Sequence, residues 1–244
     1  MKLNVNIGGL VLENPVITAS GTYGFGQEYS EYIDLNKIGG IASKGLTLKK
    51  RLGNPPPRII ETESGIMNSV GLQNPGVDEF LNNYLPYYKS NFTSAIIANV
   101  AGNTLEEYCE IVEKVSDSLV DAIEVNISCP NVKHGGLAFG ASCESVTEVT
   151  KQVKKRSKKP LIIKLSPNVT SIGDIAKAAE AEGADSVSLV NTFLGMKINI
   201  KTKRPVFKNN YAGLSGPAIK PIALRMVNQV YQAVKIPVIG MGGI

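Results

Sequence analysis

The chain has 244 residues, 43% hydrophobic and 19% charged, enough to bury a substantial core and at the upper end of a single domain. Its formal charge of +5 is spread out except for Lys151, Lys154, Lys155, Arg156, Lys158 and Lys159, which fall where a helix should end; with no Trp and few aromatics among the bases, no nucleic-acid partner is expected. The first residues lack the apolar run of a signal peptide and no stretch approaches the roughly 18 apolar residues of a membrane span, so a soluble, cytoplasmic protein without a membrane partner is expected.

The chain opens on two short amphipathic pieces, LNVNI and LVLEN, which can pair as a hairpin. Strand-length apolar runs then recur at Val16 to Ser20, Gly40 to Gly45, Ala95 to Gly102, Ala122 to Ser128, Leu161 to Pro167, Ser186 to Thr192 and Pro237 to Gly243. Helical periodicity fills the gaps at Val77 to Ser90, Leu105 to Ser118, Ser142 to Ser157, Ile172 to Glu182 and Pro217 to Val234. Nearly continuous apolar strands alternating with helices predict an α/β fold with a parallel sheet covered by helices. Ser20, Lys44, Asn99, Asn126, Lys164 and Asn191 sit at or near the C-terminal ends of six of these strands. A barrel gathers such ends at one mouth, whereas an open sheet concentrates its ligand at one switch point, so a (β/α)8 barrel is favoured. An eighth βα unit does not follow PVIGMGGI, and the expectation is one barrel domain over residues 1–244, incomplete at its C-terminus.

Three cysteines, Cys109, Cys129 and Cys143, form no CxxC pair, and a single histidine, His134, cannot build a His-rich metal site. Neither a disulfide framework nor a metal or iron–sulfur site on this chain is expected. The stretch Val125-Asn126-Ile127-Ser128-Cys129-Pro130-Asn131 puts two amides and a thiol on the turn after the fourth strand, where amides can hold a planar ligand with paired donors and acceptors. From the pattern alone Cys129 is either a buried structural thiol or a reactive one. Lys164 ends an apolar strand, where an ammonium without a counter-charge is costly; it either faces an anion or snorkels to solvent.

NISCPN resembles the motif of the class 1 dihydroorotate dehydrogenases, and ASGTYGFG, SKGLT, GNPPPRIIETESGIMNSVGLQNPG, ANVAG, IIKLSPN, LVNT, YAGLSGPAIKP and IGMGGI follow that family's order over the whole chain. The resemblance implies FMN as cofactor, bound by Ser20, Lys44, Gly45, Asn99, Asn126, Lys164, Val190, Gly216, Gly242 and Gly243. Lys164 is implied to face the N1 and O2 side of the flavin, and the glycines the phosphate. It implies dihydroorotate as substrate, held by Lys44, Asn68, Ser69, Val70, Gly71, Leu72, Asn126, Asn131, Asn191 and Thr192, with Cys129 taking a proton from C5 while hydride leaves C6 for flavin N5, giving orotate. A free thiol titrates near ~8.5, so the rate should rise with pH as the thiolate forms. His134 follows Cys129 on a glycine-rich loop, a lid in the resembling family; a Cys-His pair is the alternative to a solvated histidine. Cys109 and Cys143 read as structural.

NVKHGG after the cysteine looks more like the NAD-linked, class 1B subtype than the fumarate-linked class 1A. That subtype implies a partner subunit carrying FAD and an iron–sulfur cluster, in a heterotetramer of two catalytic and two partner chains. Three other readings remain open: the fumarate-linked enzyme, a flavin barrel acting on dihydropyrimidines, and a truncated FMN-binding scaffold without activity. A cation such as Lys44 at the site separates the first from the second, since only dihydroorotate carries a carboxylate.

Overall fold

The computed structural model describes residues 3–128, 130–131 and 137–244. Its first elements are β1 (Val5–Ile7) and β2 (Leu10–Leu12), an antiparallel hairpin with Val5 opposite Leu12. The turn needs glycine: Gly8 has φ +64°, and a side chain on it would run into the backbone of Asp185. After β3 (Ile17–Thr18) and β4 (Gly40–Ala42) come β5 (Ile59–Thr62), β6 (Gly65–Asn68), β7 (Ala95–Val100) and β8 (Ala122–Asn126). The two-residue strands β9 (Pro130–Asn131) and β10 (Leu137–Ala138) follow, then β11 (Leu161–Lys164) and β12 (Ser186–Leu189). β13 (Phe193–Met196), β14 (Ile198–Asn199), β15 (Arg204–Pro205), β16 (Tyr211–Ser215) and β17 (Val238–Gly240) complete the described strands.

All seven anticipated strands lie in one sheet, in the order β17-β12-β11-β8-β7-β4-β3 and parallel throughout. Each strand pairs with its predecessor in the series, so no reversal creates a switch point, and the architecture is that of an α/β barrel wall. β11 and β12 are buried along their whole length, as strands covered on both faces must be.

The helices are α1 (Val77–Glu79), α2 (Leu85–Asn91), α3 (Leu105–Ser116), α4 (Cys143–Lys154), α5 (Ile172–Ala181) and α6 (Lys220–Ala233). The single helix expected over 77–90 is interrupted by a π-helical turn, Phe80–Tyr84, just before Pro86, whose ring nitrogen has no hydrogen to give to the regular ladder. The segment from Pro217 likewise begins as a 3-10 turn, Pro217–Ile219, before α6. Thr104 and Ser142 cap α3 and α4 by accepting from Glu107 and Ser145 N–H groups. At the end of α4 and just after it, Lys154, Arg156 and Lys158 pair with Asp185, Glu113 and Asp117, which accounts for half of the basic cluster without any outside polyanion.

A larger core fills the space between sheet and helices. A second one, inside the barrel, joins Ile7, Leu10 and Leu12 of the hairpin to Ala42, Ile97, Ala122 and Ile162, so that the hairpin closes the N-terminal end. An antiparallel sheet, β13-β16-β6-β5, was not anticipated from the sequence. It comes down on the opposite rim: Gly213 has no room for a side chain because Thr192 lies against it. Among the described residues no helix is long and apolar enough to cross a membrane.

Candidate active site at the mouth of the barrel

Residues two apart on a barrel strand share the interior face, and Glu124 and Asn126 of β8 stand one above the other there. Glu124 is only 3% exposed. It accepts from Asn99 Nδ2 of β7 at 2.5 Å and from Ser188 Oγ of β12 at 2.6 Å, and its Oε2 lies 3.6 Å from the Nζ of Lys164, itself 5% exposed. Of the two readings of Lys164, snorkelling to solvent is not what the structure shows: its ammonium is buried, and an anion beside it comes from the chain itself, Glu124. The sequence signal was an acid breaking the apolar run AIEVN at the same strand parity as Asn126.

Half-buried Lys44 follows β4. Burial, and secondarily the nearby Lys164 ammonium, hold its amine below the ordinary lysine range. Two lysines thus face the mouth and, among the described residues, Glu124 is the one carboxylate paired with either. Lys44 also lines an open cavity of 530 Å³ together with Gly21, Thr22, Glu28, Tyr29 and Val70. Ser20 reaches the same rim but spends its hydroxyl on the Ser43 carbonyl, 2.7 Å away.

The asparagines are fixed in orientation. Asn191 Nδ2 donates to Asn126 Oδ1 at 3.1 Å, and Asn191 Oδ1 accepts from the Thr192 N–H at 2.8 Å. Tyr108 of α3 donates to the Asn126 carbonyl at 2.6 Å and so ties the end of β8 down. Asn68 ends β6 rather than lying in a loop, paired with Gly213 across the sheet. Ser69, Val70, Gly71 and Leu72 follow, braced by Asn54, which donates to the Ser69 carbonyl and, through its backbone, to that of Val70. Asn54 was not singled out from the sequence. Asn131 is placed in β9, opposite Leu137. Cys129 and His134 lie outside the described residues. Cys109 is buried in α3, whereas Cys143 is exposed at the start of α4.

Gly216 (φ +95°) and Gly243 (φ +77°) meet: a Cβ on Gly243 would stand 2.8 Å from the Gly216 carbonyl. Gly242 packs beside Val190, whose N–H donates to the Met241 carbonyl. The expected ring-side and phosphate-side residues therefore share one end of the barrel.

A family model described as "Dihydroorotate dehydrogenase" matches residues 2–244. The chain belongs to the dihydroorotate dehydrogenase family. Among curated relatives, the catalytic subunit of dihydroorotate dehydrogenase B (NAD(+)) from a Thermoanaerobacter species is 60% identical over 244 residues, all of this chain and 80% of the relative. Proteins of the same name from Alkaliphilus metalliredigens and Desulforamulus reducens are 57% and 56% identical, again over the whole chain and 80% and 81% of theirs. The cofactor of these dehydrogenases is FMN, and the residues present fit it. Asn99 Oδ1 is a buried acceptor with no partner among the described residues, and bare Gly45, whose Cβ would stand 3.0 Å from that oxygen, keeps the approach to it open.

Proposed function

We propose that this chain is the FMN-bearing catalytic subunit of an NAD-linked dihydroorotate dehydrogenase, oxidising dihydroorotate to orotate in pyrimidine biosynthesis. When bound, FMN supplies the acceptor for the hydride that leaves C6 of the substrate. Ser20, Gly45, Asn99, Lys164 and Val190 hold its ring side, and Gly216, Gly242 and Gly243 offer backbone N–H groups to its phosphate. Lys44 takes the substrate carboxylate, while Asn68, Asn126, Asn131 and Asn191 take the cyclic diamide edge. Ser69 to Leu72 and Thr192 close over it. Cys129 removes the C5 proton, and no catalytic role is assigned to His134.

What carries the reading is the charge at the mouth: Glu124 is paired with Lys164, while Lys44, whose cavity holds only the exposed carboxylate Glu28, has no ion pair among the described residues and is left for an anionic substrate. A dihydropyrimidine without a carboxylate would leave Lys44 unanswered. The relatives' names support a partner subunit; we assign to it FAD and an iron–sulfur cluster, in a cytoplasmic heterotetramer of two catalytic and two partner chains. The described residues are read as parts of one barrel domain.

The test is to mix the full-length protein anaerobically with dihydroorotate and follow the visible flavin absorbance. Bleaching is expected in wild type and not in Cys129→Ala. Bleaching by dihydrouracil but not by dihydroorotate would transfer the assignment to the dihydropyrimidine reading.

A further inference from the structure

The function just proposed uses Lys164 but leaves Glu124 without a task. Yet Glu124 is the better-fixed of the two: strands on both sides donate to it, Asn99 at 2.5 Å and Ser188 at 2.6 Å, one to each oxygen. Its separation of 3.6 Å from Lys164 Nζ exceeds hydrogen-bond length, so the pair is held by charge rather than by a shared proton. The groups that face Lys164 across the interior are Glu124 and Asn126 on β8, Asn99 on β7, Ser188 on β12 and, from beyond β4, Lys44; of these only Glu124 and Lys44 carry charge. An ammonium this deep, with a second lysine close by, is strongly disfavoured unless an anion accompanies it.

We propose that Glu124 is a positioning residue that keeps the Lys164 ammonium in place and charged before the cofactor is reduced. The inference rests on the reading that Lys164 faces FMN. With Glu124 present, the positive charge awaiting the reduced cofactor is prepared in advance, as electrostatic preorganisation requires. Without it, Lys164 starts neutral and acquires its proton only when two electrons arrive; the electrons come from the reductant and the extra proton from solvent.

The experiment is a titration of full-length, FMN-loaded protein with a chemical reductant, recording how the midpoint potential varies with pH. In Glu124→Gln the slope should steepen by the equivalent of one further proton per two electrons, and Glu124→Asp should restore the wild-type slope. An unchanged slope in a yellow Gln variant would overturn the proposal. Where the Gln variant loses FMN, thermal unfolding of the apo forms decides: adding Lys164→Met should recover stability lost in Glu124→Gln, and no recovery would also overturn it. Dihydroorotate takes no part, so a mistaken substrate leaves the result intact, whereas colourless wild-type protein would remove the flavin reading itself.

Discussion

Lys44 is asked to be a cation while half-buried beside another cation, and its lowered proton affinity follows from that position. The sign is fixed. An amine whose folded value lies below the unfolded one binds fewer protons when folded, so its contribution to stability rises with pH between the two values and is unfavourable below them. Binding runs the other way, because the substrate carboxylate needs the charged form. KM for dihydroorotate should therefore climb with pH earlier than an ordinary lysine, titrating near ~10.4, would allow. Lys44→Met should raise KM at neutral pH at least tenfold, from loss of a charged contact worth about 1.5–3 kcal/mol, without lowering the melting temperature. A variant with unchanged KM would remove Lys44 from the carboxylate. At this scale the strand ends were legible from apolar runs, but not that Asn99 and Lys164 lie one buried layer below the mouth. Nor did the sequence show which of these residues touch. Glu124 stayed hidden because an acid inside a strand looks like an exception until the neighbouring strands put Asn99, Ser188 and Lys164 around it.

One device recurs between elements. Asp185, just before β12, accepts from the Leu161 N–H of β11 at 2.7 Å and from Lys154 of α4, while its own N–H donates to the Leu161 carbonyl. Asp121, just before β8, repeats the pattern with Ile96 of β7 and Lys89 of α2. In each case one carboxylate fixes the start of a strand against its neighbour and against the helix that precedes that neighbour, and so sets the register at the closed end of the barrel. Asp185→Ala should cost about 1–3 kcal/mol in denaturant unfolding, and Asp185→Asn less, since an amide oxygen can still accept from Leu161. Equal losses would mean that Lys154, partly exposed, carries more than the backbone bond. Parallel strands and helices were legible because burial imposes their periods. The antiparallel sheet was not: β5 and β13 are short, half-exposed and alternate weakly, and the glycines at Gly195 and Gly213 remove side chains at the positions where its pattern would show.

Across the whole molecule the barrel interior is layered, with the hairpin at the bottom, then Ala42, Ile97, Ala122 and Ile162, then the Asn99, Glu124, Lys164 and Ser188 layer, and the amide-rich mouth above. An apolar floor lies directly beneath the charged layer, and charges in a dry layer act more strongly than the same charges in water. The hairpin was foreseen as a local element; its role as a floor was not, because it depends on contacts with four strands spread along the chain, as far away as Ile162. Leu12 is almost fully buried in that floor, whereas Val11, its neighbour on the other face, is 65% exposed. Leu12→Ala should destabilise the protein by about 2–5 kcal/mol through the cavity it leaves. Val11→Ala should stay within about 0.5 kcal/mol. If the floor also shields the layer above, Leu12→Ala should in addition move the pH at which KM rises towards the ordinary lysine range, because water entering from below relieves the burial that depresses Lys44. Loss of stability with an unmoved pH profile would leave the hairpin as packing alone, and the dryness of the charged layer would then be due to the barrel wall.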